Sequence, residues 1–173
     1  MPDESQAVVH GRAKVPDGLT YVVDPPNLAP PVLRPVLDYW EGKCVGRKLP
    51  RRRDIDPLEL KTYLSHLFLI DVLPDAEFRY RLVGGEITDR YGRNSAGRTV
   101  REIYAALPLI AEWLTDMMSA VTQRARPVLA SGPLTAIGKE HLVSESLHLP
   151  LADEAGSITQ IFGATRYRPR SRS

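Results

Sequence analysis

Apolar positions along this chain keep changing their period, and each change marks an element. Leu33, Val36, Leu37 and Trp40 recur at helical spacing, with Pro35 suited to a first turn and Gly42 following as a stop. That pattern predicts a short amphipathic helix over 33 to 40. Asp56-Pro57 supplies an N-cap and a proline for the first helical position, so Leu58, Leu60, Tyr63 and Leu64 predict a second short helix. From His66 the character shifts. HLFLIDVL is an apolar run of strand length, Pro74-Asp75 is a turn signal, and FRYRLV alternates apolar with basic residues, which together predict a hairpin.

The stretch from Gly84 to Tyr104 is interrupted by Gly84, Gly85, Gly92 and Gly97, which leaves room only for short helical pieces at 87 to 91 and 100 to 104. Leu107, Ile110, Trp113, Leu114, Met117 and Val121 then form a stripe that predicts one longer helix from 108 to 125, ended by Arg126-Pro127. Three strand-like segments follow, PVLASGPLTAI, HLVSESLHLPL and SITQIFGATRY, separated by turn signals at Gly138-Lys139 and from Asp153 to Gly156. They read as an antiparallel meander. Nine of the fifteen prolines fall in the first third of the chain, so residues 1–29 read as an extended or disordered arm.

With 173 residues, 43% hydrophobic and 25% charged, the chain is expected to form one domain with a sizeable core. Twenty-three Lys plus Arg against twenty-one Asp plus Glu is near balance and lends no support to a nucleic-acid partner. The single Cys44 rules out an intramolecular disulfide and a Cys-rich zinc site, and directs the expectation to a reducing, cytoplasmic compartment. The N-terminus begins acidic and polar, and no apolar run approaches the roughly 20 residues that span a bilayer, so no membrane association is expected. Residues 168–173 read as a solvated basic tail.

Two strands, a string of short helices, a longer helix and three strands form an order that resembles the PAS domain. The local residues agree: Arg79–Val83 is followed by Ile87, Tyr91-Gly92, Gly97-Arg98 and Glu102-Ile103. Tyr39-Trp40, LPRRRDIDPLEL, LFLIDV and LPL at 149 to 151 are similar to a bacterial subgroup of stand-alone PAS proteins, and the resemblance covers about residues 33 to 167. It implies an α+β fold, a five-stranded antiparallel sheet with helices over one face and N-terminal flanking helices. The flanking helices would occupy 30–65 and the PAS-like core 66–167. It also implies a sensory or dimerising role. Physically, a sheet face covered by short irregular helices leaves room for a cavity, and a cavity is a site for a small ligand.

Cofactors of the resembling family leave marks that can be sought. Flavin photoreceptors of this fold carry Gly-Arg-Asn-Cys after the short helices, whereas this chain reads Gly97-Arg98-Thr99-Val100, so a cysteinyl-flavin adduct is disfavoured. Haem-binding relatives present an axial His from the long helix, and residues 105 to 126 contain none, which disfavours His-ligated haem and leaves Met117 or Met118 as conceivable ligands. The histidines do not cluster for a metal. His10 lies in the arm, His66 begins a strand, and His141 and His148 fall on opposite strand faces, so surface or strand-edge positions are expected for them. No nucleophile elbow, phosphate loop or zincin motif occurs.

Glu145 is a local conflict, because alternation places it in a row with Val143, Leu147, Leu149 and Leu151. It needs a partner, and Arg79 or Arg81 of the second strand is the expected one; the sharper reading gives Glu145 or Arg81 to a ligand. Phe68, Tyr80, Tyr91, Trp113 and Met117 are the expected cavity side chains, with plain core packing as the alternative for each. The apolar face of the helix at 33 to 40 either covers the chain's own sheet or packs against a second copy, and a homodimer through this helix is the expectation. The reading is a non-enzymatic sensory or regulatory module binding a small molecule or a signalling protein. The alternatives are a small isomerase or dehydratase using Glu145 as acid or base, or a purely structural dimeriser.

Overall fold

The computed structural model describes residues 17–46 and 48–171. The first sixteen residues of the expected arm, His10 among them, and the last two of the basic tail lie outside the described residues. Among the described residues no helix is long and apolar enough to cross a membrane.

The elements run β1 (Thr20–Val23), α1 (Leu33–Lys43), β2 (Leu67–Leu73), β3 (Glu77–Val83), α2 (Gly85–Tyr91), α3 (Val100–Ile103), α4 (Pro108–Arg124), β4 (Val128–Leu134), β5 (Lys139–Ala152) and β6 (Ile158–Pro169). The six strands form one antiparallel sheet in the order β1-β4-β5-β6-β2-β3. The strand beyond the five expected is β1, contributed by the proline-rich N-terminal segment. Tyr21 of β1 meets Trp113 of α4 edge to face at 5.9 Å, and Asp24 holds Arg126 at 2.9 Å, so this strand is tied to the helical layer as well as to β4.

Local signals account for most boundaries. Asp56 caps the second N-terminal helix by accepting from the Leu58 amide at 2.9 Å, with Pro57 at its first position. That helix, Pro57–His66, is of the tight 3₁₀ kind rather than α, and it kinks at Leu60. Its three leucines and tyrosine do not form one continuous stripe: Leu60 is buried while Leu58 is exposed. Gly42 lies inside the last turn of α1 rather than ending it. Helix α4 begins at Pro108 and ends with Ala125 in the left-handed region, just before Arg126-Pro127.

Both faces of the sheet are covered. On one face, Leu33, Val36, Leu37 and Trp40 of α1 pack over Leu147, Leu149 and Leu151 of β5 and Phe162 and Ala164 of β6. On the other, Met117, Met118 and Val121 of α4 and Ile87 of α2 pack over Phe68, Ile70, Ala130 and Ile161. Of the two partners expected for the apolar face of α1, its own sheet is the one observed. The Trp40 indole donates to the Pro150 carbonyl at 3.1 Å, at a point where β4 no longer pairs with β5 and a proline costs the ladder nothing on that side. At the far edge, residues 97 to 99 pair with β3 through Tyr80 and close that edge.

Trp40 is 5% exposed and anchors the α1 layer, so Trp40→Ala should lower unfolding free energy by about 3–5 kcal/mol in urea denaturation. Trp40→Phe should lose only about 1–2 kcal/mol, mostly the indole bond. A loss below about 1 kcal/mol for the alanine variant would mean that α1 is not part of the folded core.

Candidate functional site

A cavity of about 110 Å³ lies between the second face of the sheet and helices α2 to α4. Its floor is polar: Ser144, Ser146 and His148 of β5 and Thr165 of β6 point into it. Pleating dictates this, because residues of β5 alternate between faces and the leucine row is already taken by α1. Ile110, Trp113 and Leu114, from the first turns of α4, form the roof, and Phe68 and Tyr80 form a side wall. Arg93 and Ala136, both exposed, mark the opening between the loop after α2 and the turn after β4.

The floor is internally bonded. Ser146 and Thr165 share a hydroxyl–hydroxyl bond of 2.8 Å, and His148 Nδ1 bonds the Ser146 carbonyl at 3.1 Å. A carbonyl only accepts, so in the neutral ring Nδ1 carries the proton. His148 is 3% exposed, against the expected strand-edge position, because the even row of β5 faces inward. Burial pushes its pKa from 6.5 down to about 4, and hydrogen bonds to backbone only partly oppose that. The ring packs on Phe68, with centroids 5.0 Å apart. Phe68 in turn lies over Gly163, where a Cβ would come within 2.5 Å of the phenyl ring and 1.9 Å of the Leu147 carbonyl. Only glycine fits there.

The end of the cavity under the short helices is made of Tyr80, Tyr91 and Tyr104, with Tyr167 adjoining them outside the lining. Burial pushes the phenols of Tyr80, Tyr91, Tyr104 and Tyr167 upward, and for Tyr80, Tyr104 and Tyr167 the neighbouring tyrosines push further. All four therefore stay protonated at neutral pH. Tyr91 and Tyr104 are close enough for each phenol to perturb the other. Among the described residues the buried Tyr167 hydroxyl has no partner, and Arg90 sits over its ring at 5.6 Å. Arg93 donates to the Ile103 carbonyl, next to Tyr104.

Of the side chains expected at a cavity, Phe68, Tyr80, Tyr91 and Trp113 line this one. Met117 does not, because the cavity lies under the first half of α4 and Met117 is fully packed further along it. Arg81 and Glu145 alternate onto the opposite sheet face. The expected pairing of Glu145 with Arg79 or Arg81 is corrected by the register: Glu145 stands opposite Arg166 and is held by Arg166 and by Arg168, the latter at 2.9 Å. Burial raises its pKa, but the two guanidinium bonds outweigh that and hold it below the ordinary value. Arg79 and Arg81 serve Asp71 instead, at 3.2 and 2.9 Å, with Gln160 as a third donor at 2.9 Å. Burial pushes Asp71 up as well, and these three donors reverse it.

Sequence reasoning passed over Arg93, Tyr104, Ser146, His148 and Thr165. The usable signal for the β5 pair was the polar row Ser144, Ser146, His148 beside a leucine row, in a strand long enough to be covered on both faces. Cofactor fit is decided by size and placement. The cavity is well below the roughly 300 Å³ at which drug-sized ligands begin, so an isoalloxazine or a porphyrin does not fit it. Cys44 packs in the α1 layer on the other side of the sheet, and Val100 is 1% exposed in the core. Among the described residues no three His, Cys, Asp or Glu side chains gather to hold a metal ion.

A family model described as PAS domain matches residues 28–166. Among solved structures, the chain is similar to an RNA-binding light-oxygen-voltage receptor, with TM-score 0.48 and 16% identity over 86% of this chain and 38% of that one. It is also similar to a light-oxygen-voltage domain solved with a flavin analogue, with TM-score 0.43 and 12% identity over 66% of this chain and 83% of that one. No curated protein matches the sequence.

A histidine held neutral by burial makes stability fall as pH falls through the window between its unfolded value of 6.5 and its folded value of about 4. The unfolded chain takes up a proton there that the folded chain excludes. Between about pH 7 and about pH 5 this should remove about 2 kcal/mol, read from urea unfolding as the excess loss of the native protein over His148→Gln. The lowered carboxyls of Glu145 and Asp71 act below that range, where their ion pairs are lost as pH falls through their folded values. Equal pH dependence in both proteins would mean that His148 titrates freely.

Proposed function

The chain belongs to the PAS domain family, and from that membership we propose that it is a non-enzymatic sensory module whose cavity takes up a small molecule. The observation that carries this reading is the cavity itself, a mainly apolar space with a polar floor and a tyrosine end. An occupant would touch α4, the short helices and the sheet together. Uptake would therefore favour one packing of the helical layer over another. The same strands carry the α1 layer on their back, which gives a shift of the sheet a route to the opposite surface. An acid–base role for Glu145 draws no support, since two guanidiniums keep it ionised on the far face.

Ala130 faces the cavity from β4 and is 7% exposed, so Ala130→Leu should fill much of the space without disturbing the surface. Native mass spectrometry of freshly purified protein should show a discrete added mass that Ala130→Leu loses while its circular dichroism is unchanged. Equal retention by both proteins would place the bound molecule outside the cavity.

A second copy of the chain is the protein partner that the α1 layer suits. Val45 and Leu58 are 78% and 75% exposed, and the Lys43–Glu59 ion pair at 2.8 Å holds their segments side by side. Sedimentation velocity should show a dimer that Val45→Asp with Leu58→Asp converts to monomer. A dimer that survives both changes is assembled elsewhere.

A further inference from the structure

The polar groups of the cavity are unequal in sign. Among the described residues no aspartate or glutamate lines it, whereas Arg93 stands at its opening and the tyrosine hydroxyls lie behind. Among the described residues Arg93 makes no ion pair; its one bond is to the neutral Ile103 carbonyl, which fixes the guanidinium beside Tyr104 and leaves further N–H donors free. Of the acids on the adjoining short helices, Glu86 is held by Arg90 at 2.9 Å and Glu102 accepts from the Thr99 amide at 2.8 Å. Unpaired positive charge at the mouth, neutral donors behind it and apolar walls beyond suit a molecule with an anionic head and an apolar body.

Size and charge narrow the class. An engineered apolar cavity of about 150 Å³ takes benzene, so about 110 Å³ is the scale of a single ring. One partly solvated guanidinium matches a single negative charge. A phosphate, with nearly two, would leave charge uncompensated against apolar walls. Phe68 and Trp113 offer aromatic faces for the ring, and the planar guanidinium suits a carboxylate.

We propose that the cavity binds a one-ring aromatic carboxylic acid, its carboxylate on Arg93 at the mouth and on the Tyr91 and Tyr104 hydroxyls behind it, and its ring between Phe68 and Trp113. This rests on the small-molecule reading above and gives it a ligand class. Arg93 is exposed, so replacing it leaves the core intact.

Benzoate and its uncharged analogue benzamide, titrated into the full chain by calorimetry and followed by amide NMR, test the assignment. Benzoate should bind at least about tenfold more tightly than benzamide. Arg93→Gln should abolish that difference, Arg93→Lys should restore part of it, and Ala130→Leu should weaken both probes. Equal affinity of the two probes, or benzoate binding indifferent to Arg93→Gln, overturns the acid while leaving the cavity reading in place. Benzoate binding that Arg93→Gln removes but Ala130→Leu leaves intact marks a surface contact and overturns the proposal. Binding of neither probe overturns it too, and the retained mass in the native spectrum then decides the sensory reading separately.

Discussion

The alternation of β5 between two buried environments is the constraint on which the rest of the molecule depends. A half-exposed antiparallel strand needs one apolar row, but β5 lies between α1 on one side and the α2–α4 layer on the other. Leu147, Leu149 and Leu151 fill the first environment, and Ser144, Ser146 and His148 occupy the second. A shift of one residue in register would exchange the rows and bury the serines under Trp40. The long β5–β6 hairpin secures that register with a turn in which Asp153 accepts from the amides of Ala155 and Ser157.

Putting a polar row under a helical layer carries a cost unless every group is bonded. The floor meets that demand by bonding to itself, serine to threonine and histidine to backbone, which leaves the surrounding walls free to be apolar. Gly163 and Phe68 complete the arrangement, since the missing side chain on β6 is what lets the phenyl ring lie against His148. The tyrosine end is different. There the phenols of Tyr91 and Tyr104 stand with Arg93, and among the described residues no carboxylate lines the space. Floor and end thus differ in kind: the floor is satisfied structure, and the end is where chemistry is left open.

On the opposite face, charge is confined to where the α1 layer stops. Asp71 with Arg79, Arg81 and Gln160 lies toward one edge of the sheet, and Glu145 with Arg166 and Arg168 toward one end of the hairpin. Each carboxylate has at least two donors, and each has a lowered pKa although burial alone would raise it. Such groups stabilise the ionised form and have no proton to exchange near neutrality. Their geometry explains why the one acid in the leucine row is structural in character and remote from the cavity.

Periodicity, proline placement and capping residues by themselves determined the order of elements from α1 to β6, the cap at Asp56, the end of α4 and the leucine row of β5, because these depend on residues within a few positions of one another. The PAS resemblance followed from that order. Local signals misjudged the 3₁₀ character of Pro57–His66 and passed over β1, whose pairing partner lies more than a hundred residues away on β4. Only the tertiary structure decided that α1 covers its own sheet, that the serine and histidine row therefore faces a cavity, and that Glu145 meets Arg166 and Arg168 rather than Arg79 and Arg81. Pleating divides a strand into two rows without saying which layer covers each. That choice is made by contacts such as Trp40 to Pro150, 110 residues apart, which no local pattern encodes.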